Sequence, residues 1–127
     1  MAKYKIALHC AYHEFWRYNL YITGKVFSGD ECVDIIDHRD IAARVGSELK
    51  CIPIGYKRKR TTTIDTAEGD SLILYIYVVT NTLPMTNAIA DARPFKCKVT
   101  IYDGDKVLYE QYHNIDQWSG NNIAIEL

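Results

Sequence analysis

The sequence predicts an all-β, single-domain antiparallel β-sandwich of about seven or eight strands, with a small barrel as the alternative and at most one or two short helical turns. Three observations carry this. Phe95, Cys97, Val99 and Ile101 alternate with Lys96, Lys98, Thr100 and Tyr102, the period-2 pattern of a half-buried strand. Asp103-Gly104-Asp105 follows as a turn signal, and Val107 to His113 returns as a second strand. Similar Gly-centred signals at Ser28-Gly29-Asp30 and Glu68-Gly69-Asp70 punctuate other β-rich runs.

In chain order, Tyr4, Ile6, Leu8 and Cys10 alternate with Lys5, Ala7 and His9 as a first strand with one polar face. Tyr12 to Arg17 then reads as an aromatic loop. Tyr18, Leu20 and Ile22 resume the alternation, and Gly24 is a candidate bulge. Cys32 to Ile36 is a short strand. Asp40 is placed to cap one helical turn over Ile41–Val45 that Gly46 ends. Leu49 to Ile54 carries Pro53, which demotes it to an edge or a strand end.

Thr61 to Thr66 is β-branched. Leu72 to Thr80 is apolar on both faces, as suits a central strand covered by the opposing sheet on one side and by loops or a partner on the other. Met85 to Ala92, within the long connection to Pro94, is a second site for a helical turn. In the hairpin, a three-residue loop at 103–105 sets Ile101 opposite Val107, Val99 opposite Tyr109 and Lys98 opposite Glu110. Cross-strand pairing favours this over a two-residue Asp103-Gly104 turn. Ile123, Ile125 and Leu127 close the chain. With no repeat, linker or low-complexity stretch, residues 1–127 read as one domain. The expected core is Ile6, Leu8, Leu20, Ile22, Leu74, Ile76, Val78, Val99, Ile101 and Ile123.

Composition narrows the chemistry. Hydrophobic residues make up 48% and charged residues 24%, which argues against disorder. The net charge of −1 offers no global attraction to nucleic acid, which is not expected as a partner. No apolar leader precedes the first strand, and the run Leu72–Val79 is too short to span a bilayer as a helix. The expectation is a cytoplasmic chain in which Cys10, Cys32, Cys51 and Cys97 are free thiols, with Cys10 and Cys97 on apolar strand faces.

Motifs for catalysis and metal binding are weak. His9 and His13 lie roughly 13 Å apart if the strand stays extended, far beyond one ion's reach. The carboxylates at 30, 31, 34, 37 and 40 match no EF-hand spacing, although they can meet Asp103 and Asp105 if those loops share one end of the sandwich. Asp37-His38 has no elbow-borne serine to activate. No cofactor and no metal is expected.

Binding signals are stronger. Phe15, Trp16, Arg17 and Tyr18, with Trp118 in a second loop, concentrate large rings where the flanking pattern marks loops. They read either as a contact surface with Arg17 as polar anchor, or as a plug for the end of the sandwich. Lys57, Arg58, Lys59 and Arg60 form a basic run, read either as a guarded edge or as a patch for an anionic surface. The favoured expectation is a non-catalytic interaction module that recognises a protein partner, a second copy of itself or a glycan through its aromatic end loops. The alternative is a peripheral binder of anionic membrane using the same aromatics and the basic run. The second alternative is a small enzyme whose site does not show in the sequence.

Overall fold

Alternating side chains sort the chain into two antiparallel sheets whose apolar faces meet. The computed structural model describes residues 2–12, 15–46, 60–81, 95–115 and 121–127. Among these, eight strands form: β1 (Ala2–His9), β2 (Tyr18–Ser28), β3 (Glu31–Asp40), β4 (Thr61–Gly69), β5 (Ser71–Thr80), β6 (Phe95–Asp103), β7 (Lys106–Ile115) and β8 (Asn121–Glu126). The first sheet has the order β4-β1-β6-β7 and the second β3-β2-β5-β8, every pairing antiparallel. All ten expected core residues lie in one buried cluster. Cys10 and Cys97 join it as buried cysteines outside any disulfide, and Cys32, also outside any disulfide, lies at the surface. Cys51, Pro53, the Met85–Ala92 segment and His13 lie outside the described residues.

β5 is an inner strand of the second sheet, as its apolar run predicts. Ile76 lies between Ile22 of β2 and Ile123 of β8. Gly24 pairs regularly with Ile36 and Leu74, so it is not a bulge. Its role is close approach, because a Cβ there would strike the carbonyl oxygen of Ile73. The bulge in β2–β3 comes later, where Val26 pairs with Asp34 but Phe27 pairs with Cys32.

The hairpin forms where expected, but its register differs. Gly104 and Asp105 make a two-residue turn between the paired Asp103 and Lys106, with φ of +57° at Gly104 and no positive φ at Asp105. That is the arrangement in which glycine takes the first central position. Tyr102 pairs with Val107, and the register then shifts so that Ile101 faces Tyr109, Thr100 faces Glu110 and Lys98 faces Tyr112. The shift has a packing cause: with one extra residue in β7, the consecutive Leu108 and Tyr109 both pack against the core. Lys98 still meets Glu110, at 2.9 Å between Nζ and Oε1, as a diagonal rather than an opposite neighbour.

The helical turn expected after Asp40 does not form. β3 runs through Asp40, and residues 41–46 are irregular. The side chain of Asn19 explains this. Its Oδ1 accepts from the amides of Ala42 (3.0 Å) and Ala43 (3.4 Å), and its Nδ2 donates to the Ala43 carbonyl (2.7 Å). Backbone groups that a helical turn would leave to water are satisfied in an irregular loop instead. A 3-10 turn occurs elsewhere, over Phe15–Arg17.

Candidate functional site

The aromatic segment after β1 turns inward. Phe15, Trp16, Arg17 and Tyr18 are only 4, 7, 1 and 1% exposed, where a contact loop requires open rings. Phe95, at the start of β6, gathers the rings. Tyr12 stacks on it at 4.2 Å between centroids, while Phe15 and Tyr18 meet it edge-on at 5.9 and 5.2 Å. The guanidinium of Arg17 sits 4.3 Å from the centre of the Trp16 ring. Asn81, fully buried at the end of β5, locks the segment. Its backbone amide donates to the Arg17 carbonyl (2.8 Å), and its Nδ2 donates to the Trp16 carbonyl (2.9 Å) and to Asn19 Oδ1 (3.1 Å). The segment is therefore the plug of this end, and its burial corrects the expectation of an open contact loop.

Of the other residues assigned to binding, Trp118, Lys57, Arg58 and Lys59 lie outside the described residues. Arg60 is exposed just before β4, where its carbonyl accepts from the Cys10 amide at 2.8 Å. His9 Nδ1 lies 2.8 Å from the Thr61 hydroxyl on the outer face of the first sheet. Asp37 pairs with Arg39 (3.3 Å) on the outer face of the second sheet, while the register sends His38 to the opposite side, so the two form no dyad. No group of three or more metal-ligating side chains occurs among the described residues. No helix among them is long and apolar enough to cross a membrane.

A contiguous exposed apolar surface lies on the outer face of the second sheet; Val107 and Tyr112 on β7 are also exposed. The register sets Ile35, Lys25 and Ile73 in one row across β3, β2 and β5; Asp37, Thr23 and Tyr75 in the next; and Arg39, Tyr21 and Tyr77 in a third. Ile35 is 69% exposed, Tyr75 39%, Tyr77 37% and Val79 37%. A shallow concavity of about 560 Å³ opens among Thr23, Lys25, Ile35, Asp37, Ile73 and Tyr75. The sequence signal for this face was the second apolar side of Leu72–Thr80, which asks for a cover.

The two ends of the sandwich differ. Opposite the aromatic plug, the β2–β3 turn, the corner between β4 and β5, and the β6–β7 turn converge around Tyr4. The Asp70 amide donates to the Phe27 carbonyl (2.7 Å), and Asp70 Oδ2 accepts from the Gly29 amide (3.0 Å). Asp103 pairs with Tyr4 across β1 and β6. Burial, and then the negative charges of Asp103 and Asp70, raise the Tyr4 phenol above its ordinary pKa. Asp103 shares this end with Asp70, which lies outside the acidic stretch 30–40.

No family model and no curated protein matches the chain. Among solved structures, it is similar to a DUF4425 family protein from Bacteroides ovatus, with a TM-score of 0.54 and 10% sequence identity over 98% of this chain and 94% of that one. At that identity the likeness extends to the fold alone: an all-β antiparallel sandwich.

Proposed function

We propose that this chain is a non-catalytic interaction module, and that a protein partner docks on the outer face of the β3-β2-β5-β8 sheet. The observation that supports this reading is the contiguous exposure of Ile35, Tyr75, Tyr77 and Val79 around a shallow concavity. Tyrosines there bring contact area at small rotamer cost and a hydroxyl for hydrogen bonding. The charges on the face cancel: Lys25 and Arg39 stand against Asp37 and Glu126. Such a surface attracts neither polyanions nor anionic lipid strongly, and matches a protein face with an apolar centre and a mixed polar rim.

The test places a photo-reactive residue at position 75, and separately at position 63 on the outer face of the first sheet, in cells that express the chain. A discrete protein adduct from position 75 alone, lost when Ile35→Asp is added, is expected. Equal adducts from both positions, or adducts indifferent to Ile35→Asp, overturn the proposal. An adduct of twice the chain mass identifies the partner as a second copy.

A further inference from the structure

We infer that the mouth at the Tyr4 end of the sandwich is a binding site for an organic cation, specifically a primary ammonium on an aliphatic stem. The mouth is a concavity of about 450 Å³ whose lining includes Ala2, Tyr4, Asp70, Asp103, Leu108 and Leu127. Two features mark it as a built site. Tyr4 is only 3% exposed, yet among the described residues its hydroxyl has no hydrogen-bond partner. Likewise no basic side chain among the described residues pairs with Asp70 or Asp103. The hydroxyl of a buried tyrosine without a partner carries a desolvation cost that a bound cation would offset, and the exposed Asp70 and half-buried Asp103 beside it supply the negative charge.

The backbone around the mouth holds these groups in place. Opposite Tyr4 the β1–β4 ladder is irregular, and the Tyr4 amide donates to the Thr66 hydroxyl (3.2 Å). Across the sandwich, the bulge in β3 puts Asp34 Oδ2 against the Ala67 amide at 2.9 Å, tying the two irregular strands together. Gly69 completes the corner, where a Cβ would strike the Val26 side chain and the Phe27 carbonyl. Bulges commonly re-aim side chains beside a site in this way.

The donor set selects the ligand. One oxygen of Asp70 is already engaged by the Gly29 amide, which leaves too few oxygens for the six to eight that calcium takes. Leu108, Leu127 and Ala2 supply apolar wall that a bare ion cannot use. An ammonium fits both halves: its N–H groups donate to Asp70, Asp103 and the Tyr4 hydroxyl, and its methylene stem lies along the leucines.

The probe is n-butylammonium chloride, titrated into the uniformly labelled protein and followed by amide chemical shifts, with N-acetyl-lysine amide as a second arm. Saturable shifts at Tyr4, Gly69, Asp70 and Asp103 are expected, with a dissociation constant on the order of 1 mM that rises with added salt. Asp103→Asn is expected to weaken binding roughly tenfold and Tyr4→Phe severalfold, because each removes one N–H acceptor. Asp65→Asn, on the outer face opposite Lys5, is expected to leave it unchanged. If N-acetyl-lysine amide binds as well as butylammonium, the natural ligand is a peptide lysine; if it is excluded, a free amine. Tyr4→Phe keeps the core ring and so tests the site even if Asp103→Asn disturbs the turn. Absent shifts at these amides, equal binding by Tyr4→Phe and wild type, or tighter saturation by magnesium or calcium overturn the inference.

Discussion

Replacing Ile76 by Ala tests the central packing of the sandwich. Ile76 is fully buried on an inner strand, flanked in register by Ile22 and Ile123, and all three belong to the same core cluster. The substitution deletes three buried carbon groups, each worth about 0.8 kcal/mol of transfer free energy, so the transfer part alone approaches ~2.5 kcal/mol. The neighbours are held by ladders on both sides, and the space left behind cannot close fully. Residual cavity brings the loss to roughly 3–4 kcal/mol, within the range found for such changes. For a chain of this size that corresponds to a fall in Tm on the order of 10–15 °C. Ile35→Ala makes the same chemical change on the same sheet, at a side chain 69% exposed, and should cost no more than about 0.5 kcal/mol. Urea melts of both variants at matched slopes give the comparison. A loss below about 1 kcal/mol for Ile76→Ala, or equal losses for the two, would refute the assignment of β5 as the strand between the sheet's two apolar neighbours.

The plug and the histidine on β7 yield two further tests. Trp16→Ala should destabilise the protein by about 3–5 kcal/mol, and Asn81→Ala by about 2–4 kcal/mol because the Trp16 carbonyl loses its donor; denaturation curves unchanged from wild type for both would show that the segment is peripheral to folding. His113 is half-buried, and its Nε2 lies 2.9 Å from the Tyr109 hydroxyl; burial lowers its pKa below the ordinary value. With the folded-state pKa depressed, the unfolded chain binds the proton first as pH falls below about 6.5, so stability is complete above that range and declines as acid is added. His113→Gln should flatten the decline in unfolding free energy between about pH 7 and 5, and parallel curves for variant and wild type would remove His113 as its source.

Sandwich architecture was legible because strand faces repeat every two residues, and a single misplacement would put charge into the core. The ten core positions follow from that periodicity alone. What periodicity could not reveal is where a strand gains an extra residue. Alternation alone misassigns the hairpin register, because Leu108 and Tyr109 are both large and mainly apolar and a strict period of two sends adjacent residues to opposite faces. A bulge lets both face the core, and nothing local to the sequence distinguishes the two arrangements. The absent helical turn at 41–46 has a similar origin. Asp40 and Gly46 are good local end signals, but Asn19, more than twenty residues away, binds the backbone between them.

The aromatic segment shows how the same composition supports opposite surfaces. A run such as Phe15-Trp16-Arg17-Tyr18 joins the core or leaves it according to whether its backbone polar groups find partners inside. Here Asn81 satisfies the carbonyls of both Trp16 and Arg17, one with its side chain and the other with its own amide, so these two carbonyls are not orphaned when the segment folds inward. Its Asn is 65 residues from Trp16 in sequence, and no spacing rule connects them. Once this segment is buried, exposed aromatic area must be sought on strands whose two faces both read as apolar. Tyr75 and Tyr77 meet that description, and their hydroxyls explain why the face tolerates water when uncovered. Tyr4 has the same side chain but the opposite circumstance. It is buried, near two carboxylates and without a hydrogen-bond partner among the described residues, and such a hydroxyl is costly unless something else completes it. On the two proposed readings, one residue type would serve two surfaces by two mechanisms, open contact area on β5 and an unmet hydrogen bond at the mouth below β1, and the register of the strands separates them.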